Sequence, residues 1–199
     1  MGDLVLMERV ESTAVLTLNR PERHNSLIPE LLEELLGRIE DVRAEPEIRA
    51  VILGANGRSF STGGDVGGFF EHLDTIEAYA KHIVGLLNET ILSLLALPVP
   101  VIAAVQGMVT GGSMGLVLAC DIVLVAAEAS FTPYYSVVGF SPDGGWTAML
   151  PAIIGAKRTA AILLQNRRIS AGEALAWGLA DRQVDGKHMR QETLQVGQD

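Results

Sequence analysis

The chain has 199 residues, 48% of them hydrophobic, a formal net charge of -9 at pH 7 and a single cysteine, Cys120. That length and apolar content suit one domain with a sizeable core and exclude a wholly disordered chain, while the acidic balance argues against nucleic acid as a partner, since phosphate recognition needs a basic face. One cysteine allows no internal disulfide, no signal-like segment opens the sequence, and apolar runs break before the roughly 20 residues of a membrane span, so a soluble, cytoplasmic protein with no membrane partner is expected.

Residues 4–10 and 14–19 read as two strands joined by Glu11-Ser12-Thr13, a hairpin. In Pro29–Ala44 the residues Leu31, Leu32, Leu35, Leu36, Ile39 and Val42 recur at helical spacing, with acids on the other face. Residues 50–53 form a short strand. A long helix over 75–97 is closed by Pro98 and Pro100. Val101–Val105 has no polar alternation and reads as a strand buried on both faces. A helix over 112–119 and a strand over 121–126 follow, then helical stretches at 144–154, Ala156–Gln165 and 171–178. Strands alternating with helices indicate an α/β fold with parallel pairings. Residues 1–185 form the expected domain. Residues 186–199 are polar with little apolar periodicity, and read as a mobile tail or a chain cut short of a final helical region.

Between two of these elements lies Gly107-Met108-Val109-Thr110-Gly111-Gly112-Ser113-Met114-Gly115, with four glycines in nine residues. Such a cluster is costly in backbone entropy and marks a sharp turn or a close approach. Upstream lies a second segment of the same kind, Ser59-Phe60-Ser61-Thr62-Gly63-Gly64-Asp65. Two glycine turns, each after an apolar strand, can present backbone N–H groups to a developing negative charge. They can equally be tight turns needed only for packing.

The ordered blocks along the chain carry a resemblance. Leu18-Asn19-Arg20-Pro21 leads to Asn25-Ser26-Leu27; Ser59 to Val66 holds the first glycine turn; Pro100 to Gly107 follows. Gly111-Gly112 then precedes Ala119-Cys120-Asp121, and Phe131 precedes Gly139-Phe140-Ser141-Pro142-Asp143-Gly144-Gly145. From Val15 to about Val184 the chain resembles the enoyl-CoA hydratase/isomerase (crotonase) family. The resemblance implies a spiral of ββα units with a C-terminal helical region, which here is short or missing. It also implies acyl-CoA thioester substrates, a role in fatty acid metabolism, and assembly as a homotrimer or hexamer. By the same matching, the thioester carbonyl would sit between the N–H groups of Gly64 and Gly112. Coenzyme A would enter as part of the substrate. No cofactor is expected, because neither clustered metal-ligand spacing nor a complete dinucleotide-binding glycine pattern is present.

The chain departs from the family where hydratases carry their two glutamates: the matched positions are Gly115 and Tyr135. Water addition needs a base for water and an acid for the α-carbon, and neither residue replaces an ionised carboxylate. A hydratase is therefore disfavoured. Asp143 remains, at a Pro-Asp position where isomerases of the family carry their acid/base carboxylate, and a single carboxylate suffices for a proton shift between carbons. Alone, Asp143 reads equally as the N-cap of a helix starting near Gly144. Tyr134, Tyr135, Phe140 and Trp146 surround it in sequence as candidate pocket walls or core; Tyr135 and Trp146 are expected to desolvate it. Phe70, with Phe69, falls in the segment that covers the acyl chain in the family. Arg23 and His24 fall where the family contacts CoA. Ser26, Thr62, Asp65 and Val66 complete the candidate binding set, with Asp65 expected to order its glycine turn.

Three rivals remain. A catalytically degenerate acyl-CoA-binding protein fits the missing glutamates. A halobenzoyl-CoA dehalogenase would use Asp143 as nucleophile, but its helper histidine position matches Asn88, with His82 nearly two turns earlier. A serine hydrolase would use Ser113 in Gly111-Gly112-Ser113-Met114-Gly115 with Asp143 and His188. Its serine does not follow its strand directly, and His188 lies in the polar tail.

Overall fold

The structure is a computed structural model that describes residues 2–198. It opens on β1 (Val5–Val10) and β2 (Thr13–Leu18), the expected antiparallel hairpin, with Val10 opposite Thr13. α1 (Pro29–Ala44) starts on a proline, whose missing N–H costs nothing at that position, and buries Leu31, Leu32, Leu35, Ile39 and Val42. β3 (Ala50–Ala55) is followed by α2 (Val66–Glu71) and α3 (Ile76–Leu95). Next come β4 (Val101–Val105), β5 (Met108–Thr110) and α4 (Met114–Leu118), then β6 (Ile122–Ala126), β7 (Ser130–Thr132) and α5 (Tyr135–Val138). The chain continues through α6 (Leu150–Ile154), α7 (Ala156–Gln165), β8 (Ile169–Ser170), α8 (Ala171–Ala176), β9 (Arg182–Val184) and α9 (Met189–Gln198).

A six-stranded sheet has the order β1-β2-β3-β4-β6-β9 and is parallel from β2 onward. A second sheet has the order β5-β7-β8. After each central strand the chain crosses to this second layer before entering a helix. β3 leads to Ser61, which bridges Val109 of β5; β4 leads to β5; β6 leads to β7, parallel to β5. The repeated unit is strand, strand, helix. The two glycine turns, Gly63-Gly64 and Gly111-Gly112, fall where the chain leaves the second layer for α2 and α4. Every residue of β4 is buried, as its unbroken apolar run requires.

Several sequence expectations are corrected. Among the described residues, 186–198 are not a loose tail; Asp199 lies outside the described residues. A short turn at Gly186–His188 leads into α9, which lies on the second face of the main sheet. There Met189, Leu194 and Val196 pack with Val15, Ile52, Ile102 and Leu124. The apolar stripe is sparse because Thr193 also occupies it, buried with its hydroxyl donating to the Met189 carbonyl one turn back. Only residues Leu150–Ile154 of the expected 144–154 helix are helical, because Gly144 and Gly145 adopt φ of 51° and 78°. Asp143 therefore caps no helix; its carbonyl accepts from the Trp146 N–H in a turn. The 112–119 segment begins as a tight Gly111–Ser113 turn before α4.

Candidate active site

The two glycine turns touch. The Thr110 N–H donates to the Ser61 carbonyl at 3.1 Å. The buried Ser113 hydroxyl lies 2.9 Å from that same carbonyl and 2.7 Å from the Thr110 carbonyl, closing the second turn on the first. At Gly63, with φ of 74°, a Cβ would stand 2.6 Å from the Thr110 carbonyl oxygen, so only glycine allows this approach. The Leu27 N–H donates to the Gly63 carbonyl and the Asp65 N–H to the Leu27 carbonyl. This bracket fixes the strand around Gly64 and leaves the Gly64 N–H without a backbone acceptor among the described residues. The Gly112 N–H is likewise without one. Both glycines line one cavity of about 580 Å³. Two free N–H donors on adjoining rigid turns can hold an oxyanion with no reorganisation cost.

Asp143 reaches the same cavity from the loop after α5. Its Oδ1 lies 3.0 Å from where a Gly112 Cβ would be, which places the carboxylate beside the second turn. The loop is pressed home by glycine: a Gly144 Cβ would meet the Gly112 carbonyl oxygen at 2.4 Å, and Gly144 holds φ of 51°. The Tyr135 hydroxyl donates to Asp143 Oδ1 at 2.5 Å. Burial pushes the Asp143 carboxyl above the ordinary carboxylate range, partly offset by the Tyr135 hydroxyl and its own backbone. Burial and the adjacent Asp143 charge push the Tyr135 hydroxyl well above its usual value, so it remains a donor.

The position matched to the first hydratase glutamate is closed. A Gly115 Cβ would stand 2.3 Å from Ile91 Cδ1 and 2.9 Å from the Gly144 carbonyl oxygen. The loop carrying Asp143 thus occupies the space that a side chain at 115 would need.

The remaining candidates divide. Arg23, His24, Ser26 and Thr62 line the cavity, as do Asp65, Val66, Tyr134 and Tyr135. Asp65 accepts from Arg20 at 2.7 Å, Ser26 at 3.0 Å and Arg23 at 3.1 Å, and caps α2 through the Gly67 N–H. Burial lifts its carboxyl, but Arg20, Ser26 and Arg23 together bring it down to about 2. Its carboxylate is thereby tied to the turn and to α2. The His24 ring sits between Ser59 Oγ at 3.0 Å and the Arg58 guanidinium at 2.7 Å.

Two expected wall residues are not in the wall. Phe70 is 67% exposed and outside the cavity, whereas Phe69 lines it, packed edge-on to Tyr79 and against Phe140. The Asp65 cap sets the phase: one turn on, Phe69 donates its N–H to the Asp65 carbonyl and turns inward. Trp146 is fully buried beneath the site, and its indole N–H donates to the Gly111 carbonyl at 2.8 Å. It holds the second turn and packs edge-on to Tyr135. Sequence reasoning missed Ile83, Val84 and Leu87 of α3, which supply apolar wall. Their spacing on one helix face reads as ordinary core.

The serine hydrolase loses its parts, and the dehalogenase only its helper histidine. Ser113 is buried with its hydroxyl committed to the turns, and His188 is exposed beside Asp185, outside the cavity. His82 and Asn88 lie on the exposed face of α3, with His82 near Glu33. Among the described residues no cluster of three or more His, Cys, Asp or Glu could hold a metal ion, and no helix is long and apolar enough to cross a membrane.

A two-layer α/β spiral that brings two glycine turns and one carboxylate together on a largely apolar cavity defines the class. The sequence pattern of that class, enoyl-CoA hydratase/isomerase, matches residues 8–199, and the chain belongs to this family. It is 36% identical over 196 residues to a probable enoyl-CoA hydratase of Mycobacterium bovis, covering 94% of this chain and 67% of that protein. It is 31% identical over 197 residues to the 1,2-epoxyphenylacetyl-CoA isomerase of Escherichia coli, covering 98% of this chain and 75% of the relative. Among solved structures, the enoyl-CoA hydratase of Bacillus anthracis superposes with a TM-score of 0.92 at 31% identity, over 98% of this chain and 76% of that one. The chain spans about two thirds to three quarters of the length of these relatives.

Proposed function

We propose that this protein moves a proton between carbons of an acyl-CoA thioester, shifting a double bond through an enolate. The thioester oxygen is held by the Gly64 and Gly112 N–H groups. The Asp143 carboxylate takes the proton as the C–H bond breaks, and the electron pair passes to the thioester oxygen. The enolate then collapses and takes the proton back at another carbon. Two donors of this kind contribute on the order of 2.7–4 kcal/mol each in comparable sites. No metal or nicotinamide enters, since the proton and electron pair balance within substrate and Asp143.

The observation that carries this reading is the count of carboxylates. Asp143 is the carboxylate beside Gly112; the other two in the cavity wall are Glu22 and the arginine-bound Asp65. Water addition needs an acid and a base at the reacting carbons, a proton shift needs one group. The similarity to a protein named 1,2-epoxyphenylacetyl-CoA isomerase supports the same reading. The test is α-proton exchange in deuterated water, followed by NMR over a panel of CoA thioesters. Asp143→Asn should keep ester binding and lower exchange by roughly 10²–10⁴. Hydratase turnover unaffected by that substitution would refute the assignment.

A further inference from the structure

The buried hydroxyl of Tyr135 stands where the family resemblance puts a second glutamate, and the proposed proton shift leaves it without a role. Its surroundings are built rather than incidental. Tyr134 holds φ of 60°, and its N–H donates to Asn166 Oδ1 at 2.8 Å, which starts α5 at a fixed angle. The Tyr135 ring is 6% exposed and meets Trp146 edge-on, with centroids 6.5 Å apart and planes at 84°. Trp146 in turn holds the Gly111 carbonyl. The same indole therefore braces the second glycine turn and the ring whose hydroxyl binds Asp143. Carboxylate and N–H donor are registered to each other through one side chain.

We infer that Tyr135 is a positioning residue: its hydroxyl holds Asp143 Oδ1, leaving Oδ2 as the oxygen that exchanges protons with the substrate. This rests on Asp143 being the acid/base group. Among the described residues the Tyr135 hydroxyl is the side-chain donor recorded on this carboxylate, and it takes Oδ1. Tyr135 is not itself the base, because burial and the neighbouring carboxylate keep its hydroxyl protonated. The pocket wall expected from the sequence would be equally served by phenylalanine; the hydrogen bond would not.

The groups facing Asp143 are few. From α5 it meets Tyr135; from the second glycine turn, Gly112; and α3 presents Leu87 and Ile91 to that turn. Asp65, with Arg20 and Arg23, and His24 with Arg58 belong to the first-turn side of the cavity and are paired there. The causes that shift the Asp143 carboxyl are its burial, the Tyr135 hydroxyl and its own backbone.

Tyr135→Phe removes a donor that favours the charged carboxylate, so the Asp143 carboxyl rises and less base is present at a given pH. The acid limb of kcat/KM should move up by about one pH unit, with kcat lowered about tenfold above the limb and KM changed less than about twofold. The Asp143 carboxyl carbon, followed by NMR titration of labelled protein, should move in the same direction with no substrate present. If Tyr135→Phe unfolds, incorporation of 3-fluorotyrosine keeps the ring and makes the hydroxyl a stronger donor; both limb and titration should then move down. An unmoved titration and acid limb in the folded variant would overturn the inference. Should Asp143→Asn leave proton exchange intact, the proposed function fails, while the carboxyl titration still decides whether Tyr135 holds Asp143.

Discussion

Replacing Gly115 by alanine sets helix propensity against packing, and the structure says which wins. In a helix interior alanine is favoured over glycine by about 1 kcal/mol, less in a first turn such as this one. Against that gain, the new Cβ would stand 2.3 Å from Ile91 Cδ1, 2.9 Å from the Gly144 carbonyl oxygen and 3.0 Å from its carbon. The isoleucine methyl is the end of a flexible chain and can turn away at about 0.5–1.5 kcal/mol. The Gly144 carbonyl is backbone, and its own loop is already seated against the Gly112 carbonyl. Overpacking of this kind costs about 1–3 kcal/mol, leaving a net loss near 1–2 kcal/mol. For a chain of this size that lowers Tm by roughly 2–8 °C. Thermal and urea unfolding followed by circular dichroism measure it, and kcat for proton exchange should fall as well, because the yielding loop carries Asp143. A variant that melts higher than the wild type with unchanged kcat would show that the space beside Gly115 is open, and the argument against a hydratase glutamate there would fail with it.

Asp143→Asn should be more stable than the wild type at pH 7. Burial holds this carboxyl above its unfolded value, so the folded state binds more protons and stability falls as pH rises through that window; the gain should close below about pH 4, where the unfolded carboxyl is also protonated. Asp65 behaves oppositely. Its carboxyl, down to about 2 in the fold, contributes stability that is full above the unfolded value and is lost as pH falls towards 2. Asp65→Asn, which strands the nearly buried Arg20, is expected to cost about 3 kcal/mol in urea unfolding and to flatten that acid limb. Gly144→Ala should lower kcat more than Tm suggests, by displacing Asp143 from Gly112; equal kcat would count against the close approach. Sedimentation should show a trimer or hexamer, since apolar residues such as Leu92 and Leu164 are exposed at 65% and 82%; a clean monomer at micromolar concentration would count against it.

Elements with a strong apolar pattern, periodic or unbroken, were legible in the sequence. Pro29–Ala44, Val101–Val105 and Ala156–Gln165 lie where the pattern places them. The strands of the second sheet were not, because β5, β7 and β8 are two or three residues long and owe their existence to pairing across the turns. α9 was hidden for a different reason. Sheet packing needs only Met189, Leu194 and Val196 from it, and a threonine with an internally satisfied hydroxyl fills the gap. The Phe69 and Phe70 pair shows the limit of local reasoning: which ring enters the cavity is decided by the Asp65 cap. Trp146 shows another, since an aromatic beside a candidate carboxylate serves equally as wall or as foundation. Here its indole N–H found the Gly111 carbonyl and settled it as foundation.

The contacts that define the site join segments far apart in sequence through backbone alone. Gly63 meets Thr110, and Gly144 meets Gly112, at separations that exclude a Cβ. Such contacts fix the two glycine turns before any reactive side chain is chosen. On the proposed reading the scaffold sets one half of the chemistry, stabilisation of an oxyanion, and is indifferent to what the substrate does next. The other half lies in the few side chains that face the donors. In this chain those are a glycine at 115 with no room to grow, a tyrosine at 135 whose hydroxyl is pushed well above its usual value, and an aspartate at 143 that the tyrosine holds by one oxygen. On the proposed reading, one group able to carry a proton beside a preorganised oxyanion site would favour moving a proton between carbons over adding water across them.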